Sequence, residues 1–134
     1  MKYLTLVACV SCGLVGYSQN LVIPEGSVWK YYDQGDVGTT NWVNNNFDDS
    51  AWATGNAEFG YGDGDETTTV SFGGDGNNKH ITTYFRKVVN LTEQRTLDCR
   101  IKMDDGAVVY LNGNEVYRNG MPNGAVNFNT LANN

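Results

Sequence analysis

Apolar and polar residues alternate with a period of two through residues 97–103: Leu97, Cys99, Ile101 and Met103 fall on one side, Asp98, Arg100 and Lys102 on the other. That is the pattern of a strand with one dry and one wet face. Asp104-Asp105-Gly106 interrupts the run, and residues 107–111 form a second apolar segment. Asn112-Gly113 then separates it from Asn114-Glu115-Val116-Tyr117-Arg118. An Asn-Gly pair between two strand-like runs predicts a β-hairpin, because a type I′ turn needs positive φ at both central residues. Residues 97–118 therefore predict a strand, a tight acidic corner and a hairpin. The remaining chain is the material that buries their dry faces.

Residues 28–34 (VWKYYDQ) predict a strand with Trp29 and Tyr31 on one side, followed by a polar turn at 35–40 and a short extended piece at 41–43. Residues 46–52 (NFDDSAW) predict one helical turn capped by an Asp or Asn side chain, with Phe47 and Trp52 as plugs into the core. Residues 55–78 are loop-dominated, with a short strand at 67–72 (TTTVSF). Residues 80–91 (HITTYFRKVVNL) predict a further strand, Phe85, Val89 and Leu91 facing the core and Tyr84 and Arg86 facing out. Lys87 falls on the supposed inner face, which leaves the register there open. His80 is expected at a strand edge. Residues 93–96 connect to the organising strand, 119–124 form a loop, and 125–131 start another strand. With no long helical pattern, the expected class is all-β, an antiparallel β-sandwich. About six or seven strands are fewer than the eight of a jelly roll, so the expectation is an incomplete domain whose natural gene product continues past Asn134.

The 134 residues give room for one domain. Lys2, an uncharged apolar stretch at 3–15 and the small-x-small triplet Gly16-Tyr17-Ser18 together predict a signal peptide at 1–18, leaving Gln19 first and the domain at 19–134. A rival reading takes Leu6-Val7-Ala8-Cys9 as a lipobox, but too few residues precede that cysteine for a normal apolar region. The protein is thus expected to be secreted or at the cell surface. Removing the leader takes away one of nine basic residues and no acidic one, so the formal charge moves from −6 to −7. That balance, without a Lys/Arg cluster, argues against nucleic acid and anionic lipid as partners, and no membrane insertion is expected. Two of the three cysteines leave with the leader. Cys99 remains, on the apolar side of its strand, and is expected to be a small buried hydrophobe.

FDDSAW (47–52), FGYGDGDE (59–66), TYFRKVVNL (83–91) and MDDGAVVYLNGNEVYRNGMP (103–122), in that order, resemble the galactose-binding-like jelly-roll domain found in secreted multidomain proteins of Bacteroidetes-type bacteria. The DDG-x4-LNG segment is also locally similar to PA14-type sugar-binding domains. The first resemblance implies a jelly-roll sandwich and downstream domains of the same polypeptide, with two or more C-terminal strands that this chain lacks. Its functional content is weak, because such folds host sugar binders, protein binders and spacers alike.

Asp63, Asp65 and Glu66 lie in a glycine-rich loop whose oxygens could converge on Ca²⁺ in a structural role; solvated acidic turns are the competing reading. Asp104 and Asp105 could hydrogen-bond sugar hydroxyls, or simply form Asx-turns at their corner. Trp42 and Tyr61 lie in polar surroundings and are the candidate platforms for stacking on a pyranose face, with Asn112 a further hydroxyl partner. Trp29 and Trp52 are expected in the core, and Tyr110 and Tyr117 as cross-strand partners. One histidine and the absence of HExxH and GxSxG give little support to a zinc site or a catalytic triad. The leading expectation is a non-catalytic carbohydrate-binding module that holds a larger secreted protein on a glycan or polysaccharide. The alternatives are a structural or protein-interaction domain without glycan affinity, and a hydrolase whose catalytic part lies beyond residue 134.

Overall fold

The computed structural model describes residues 5–9, 22–91 and 96–133. The expected cleavage site after Ser18 and most of the connection at 93–96 lie outside them, as does the expected leader apart from residues 5–9. Among the described residues nine short strands and one 3-10 turn make up the regular structure, consistent with the all-β expectation. In order they are β1 (Thr5–Cys9), β2 (Val28–Tyr32), the 3-10 turn (Thr40–Val43), β3 (Ala53–Asn56), β4 (Phe59–Gly60), β5 (Thr68–Thr69), β6 (Tyr84–Arg86), β7 (Asp98–Lys102), β8 (Ala107–Leu111) and β9 (Asn114–Asn119). They form four small sheets: β3-β2-β6, β8-β9, β1-β7 and β4-β5. Three of these are antiparallel, and β4-β5 is parallel. No helix among the described residues is long and apolar enough to cross a membrane.

The three-stranded sheet is the centre of the fold. Its middle strand β2 is aromatic on both faces. Tyr31 pairs with Phe85 and Tyr32 with Tyr84 across β2 and β6, so each face receives an aromatic from both strands. On one face, Trp29, Tyr31 and Phe85 pack with Ile23, Ala57, Phe59 and Val70. Phe59 is 1 % exposed, with its ring centroid 4.9 Å from Phe85 and 5.3 Å from Tyr31. Full burial of such a ring contributes about 1.5–3 kcal/mol.

The opposite face carries a second aromatic group, Tyr32, Tyr84, Trp52, Trp42 and Phe47. Trp52 and Phe47 are the plugs the sequence predicts, and Trp52 is buried. The backbone that delivers them is not helical. Asp48 Oδ1 accepts from the Ser50 N–H at 3.0 Å and Trp52 N–H donates to the Asp49 carbonyl at 3.0 Å, a pair of turns. Tyr84, expected to face out, is 6 % exposed because this face is covered too.

Asp33, also buried, staples the end of β2 to the following loops. Its Oδ2 accepts from the Ser71 N–H at 2.6 Å, and its backbone carbonyl lies 2.9 Å from His80 Nδ1. His80 also donates its N–H to the Phe72 carbonyl and sets its ring against Phe128. It is a packed connector between loops, not a strand-edge residue.

The β8-β9 hairpin forms as predicted. Asn112 and Gly113 have φ of 52° and 82°, and Leu111 pairs with Asn114 across the two-residue turn. A register shift between Val109 and Tyr110 leaves Val116 as the extra residue of a bulge. Tyr110 consequently stands opposite Glu115 and Tyr117 opposite Val109, so the two tyrosines are not the cross-strand pair expected. At the other end of the hairpin, a Cβ on Gly106 would lie 2.6 Å from the Gly120 carbonyl oxygen. The Asp-Asp-Gly corner is therefore shaped by a backbone approach that only glycine permits.

Three strand expectations change. Among the described residues β7 pairs with β1 alone, and Cys99 is exposed rather than buried. Leu91 is exposed as well. Residues 125–131 are not a strand: the Asn127 side chain accepts from Asn129 N–H at 2.9 Å and Thr130 N–H donates to the Asn127 carbonyl at 3.0 Å, closing a turn.

Candidate functional site

A cleft of about 600 Å³ opens beside the second aromatic face. Its walls come from the 3-10 turn, β6 and the residues before it, the corner leading into β8, and residues 126–132. The 3-10 turn starts where Thr39, in extended conformation, accepts the Asn41 N–H on its side-chain oxygen. That brings Trp42 to the wall as a half-buried side chain. Its ring meets Tyr84 edge-on at 5.1 Å and Tyr110 edge-on at 5.7 Å. Trp42 thus links the central sheet to the hairpin.

Arg86 fixes the segment that carries Trp42. Its Nε donates to Asp49 Oδ2 at 2.9 Å, and its two terminal nitrogens donate to the carbonyls of Trp42 and Asn44. The guanidinium also lies over the Phe47 ring at 5.2 Å. The opposite wall is fastened by the Thr82 hydroxyl, which donates to the Phe128 carbonyl at 2.8 Å.

Asp36, Thr40, Thr83, Asp105 and Asn127 give the lining its polar groups, and among the described residues no Lys, Arg or His lines the cleft. Asp36 Oδ1 accepts the Gly38 N–H at 2.9 Å, an Asx-turn that fixes this carboxylate of the lining. Burial pushes the Tyr84 phenol above its ordinary pKa and the Asp36 carboxylate pushes it further. Tyr110 is raised too, by burial and then by Glu115. Apolar walls with a few fixed polar groups are the usual make-up of a small-ligand site. Comparison with family models, with characterised proteins and with solved structures finds no match to this chain.

Of the residues singled out from sequence, Trp42 and Asp105 line the cleft together. Tyr61 lies elsewhere: it packs on the first core and on Phe72 at 5.4 Å, with Lys79 over its ring at 5.1 Å. Its phenol is pushed up by burial and by Asp105. Asp104 stands at the same corner as Asp105 but outside the cleft lining. Asn112 is occupied as a turn residue, its carbonyl accepting from Asn114 Nδ2 at 3.2 Å.

The acidic loop folds onto its own backbone. Glu66 Oε1 accepts the Asp63 N–H at 3.1 Å and Oε2 the Gly64 N–H at 2.9 Å. These backbone donors hold the Glu66 carboxyl below its usual pKa. Asp65 lies 3.7 Å from Lys102 Nζ, which also pairs with Glu58 at 2.6 Å. No group of three or more His, Cys, Asp or Glu that could hold a metal occurs among the described residues.

Sequence reasoning missed Tyr84, Tyr110, Asp36 and Asn127 as cleft residues. The Asp36-x-Gly38 spacing was the available signal for the first carboxylate, since it predicts an Asx-turn that anchors an Asp at a loop tip. Nothing local signalled the other three, which reach the cleft through long-range packing.

Proposed function

We propose that this chain is a non-catalytic carbohydrate-binding module, a galactose-binding-like jelly-roll domain of a larger secreted bacterial protein. The observation that carries the reading is the cleft lined by the mutually packed rings of Trp42, Tyr84 and Tyr110 together with hydroxyl, amide and carboxylate groups. A sugar ring has an apolar C–H face and a belt of hydroxyls. It therefore suits a surface that is aromatic below and hydrogen-bonding at the edge. Asp105, Asn127 and Thr40 are the hydroxyl partners in this reading. Structural Ca²⁺ is not required by it.

The second reading, an accessory domain that packs against a neighbouring hydrolase without glycan affinity, draws on the hairpin. Leu111, Val116 and Tyr117 are exposed there, an apolar edge suited to a protein neighbour.

A polysaccharide retardation screen of the full chain separates the two. Retention by a glycan class that falls on Trp42→Ala, with near-UV circular dichroism confirming a folded variant, supports the binding module. Tyr61→Ala is expected to leave retention unchanged. A folded wild-type chain that no polysaccharide retains would overturn the reading and favour the accessory domain.

A further inference from the structure

We propose that the cleft takes sugars that carry a methyl group, a 6-deoxyhexose or an N-acetylated sugar, in preference to fully hydroxylated hexoses. The inference rests on the glycan-binding reading and names the ligand class of the same site. Each stretch that lines the cleft brings apolar side chains to it. Trp42 and Val43 come from the 3-10 turn, Ile81 from the residues before β6, and Val108 from β8. Val126 and Phe128 come from the last stretch. Ile81, Val126 and Phe128 are half-buried, so part of each is covered by protein and part stays accessible. Phe128 is fixed at two points: the Thr82 hydroxyl donates to its carbonyl at 2.8 Å, and the His80 ring meets its ring edge-on at 5.8 Å.

Several polar groups of the lining are already engaged within it. The Thr82 hydroxyl is committed to the Phe128 carbonyl, and Thr39 Oγ1 accepts the Asn41 N–H at 3.1 Å. Asn127 Oδ1 accepts the Asn129 N–H at 2.9 Å, and Thr130 Oγ1 accepts the Asn127 N–H at 2.9 Å. A sugar hydroxyl that turns toward such a wall leaves water without an equal partner, which costs free energy. A methyl group in the same place leaves water at a gain. Removing the oxygen at C6, or replacing the C2 hydroxyl with an acetamido group, therefore turns an unfavourable approach into an apolar contact. Thr40, Asp105 and the Asn127 amide serve the hydroxyls that remain. Discrimination of this kind is moderate, since one methyl-sized group in an apolar pocket changes affinity by about tenfold to two-hundredfold.

The test is affinity electrophoresis of the full chain in gels holding whichever polysaccharide retains it, with free methyl glycosides as competitors in matched pairs. The L-fucoside and L-galactoside differ by one oxygen at C6, as do the L-rhamnoside and L-mannoside; the N-acetylglucosaminide and glucoside differ at C2. The methyl-bearing member of at least one pair is expected to displace the chain at a concentration about tenfold or more below that of its partner. The pair that does so tells a deoxy methyl from an acetyl one. Val126→Thr and Phe128→Tyr each add one hydroxyl to the wall, and at least one of them, shown to be folded by near-UV circular dichroism, should narrow the gap about threefold or more. Val88→Thr, the same exchange as Val126→Thr at a strongly exposed position, should not. Equal or better displacement by the hydroxylated members, displacement by none of the six, or a gap that neither wall variant moves would overturn the methyl preference and leave glycan binding standing. No retention by any polysaccharide would sink both readings at once.

Discussion

Arg86 Nε lies 2.9 Å from Asp49 Oδ2, and this pair closes the segment between Trp42 and Trp52 onto β6. The same guanidinium collects the carbonyls of Trp42 and Asn44, so one side chain fixes three points of a segment without regular hydrogen bonding beyond its 3-10 turn. Lysine cannot reproduce that fork. Arg86→Lys and Arg86→Met are both expected to lower unfolding free energy, by about 2–3 kcal/mol for Met. That is below the loss for a fully buried pair broken from one side, since Asp49 retains 23 % exposure. Urea denaturation measures the loss. A cost for Arg86→Met within error of zero would contradict the role given to this residue.

Gly106 and Gly120 mark a second constraint of the same scale. Alanine at 106 would press its methyl into the Gly120 carbonyl oxygen, and overpacking of that kind costs about 1–3 kcal/mol. Gly76, around which a Cβ would meet nothing within 4 Å, is the control. Gly76→Ala should leave the thermal midpoint nearly unchanged or slightly raised. Comparable losses at both positions would remove the close approach as the explanation.

The buried phenol of Tyr84 makes the protein sensitive to alkali. Burial, with Asp36 adding to it, places its folded pKa above the ordinary value, so the folded state holds its proton more tightly than the unfolded chain. Stability from this source is complete below the unfolded phenol pKa of about 10 and is lost as pH rises through the folded value. Tyr84→Phe should flatten the alkaline limb of a stability–pH profile. An unchanged slope above pH 10 would count against it.

Glu66 has the opposite sign. Its folded pKa is depressed by the Asp63 and Gly64 N–H groups among others, so its contribution is present above the unfolded carboxyl pKa and disappears as pH falls through the folded one. Glu66→Gln should blunt the acid limb. Both Glu66 oxygens already accept backbone N–H groups, and chelator is therefore expected to leave the thermal midpoint unchanged. A fall in chelator that Asp63→Asn abolishes would make the loop a calcium site after all.

What could be read from sequence was what depends on neighbours along the chain. Asn112-Gly113 demanded its turn whatever lay around it, and Phe47 and Trp52 were recognisable as plugs by size. Tyr84 was not recognisable, because two-residue periodicity assumes one wet face and β6 is covered on both. The same assumption misjudged Cys99 in the other direction: its strand has a dry pattern, yet the Cys99 side chain is exposed. At 125–131, β-type residues lost to Asn127, whose side chain offers the backbone a turn that a strand would have to displace. The cleft assembles from four separate stretches of chain; Trp42 and Asp105 were singled out from local pattern, Asp36 carried a turn signal that went unused, and the rest had no local mark.

The edge-on contacts of Trp42 with Tyr84 and Tyr110 also turn the cleft into its own optical probe. Rings held at fixed, dissimilar angles of 71° and 80° form an asymmetric array of chromophores, and near-ultraviolet circular dichroism exists only while such an array is held rigid. Any molecule that settles against Trp42 changes that signal without a label, and the far-ultraviolet spectrum beside it reports whether the backbone stayed folded.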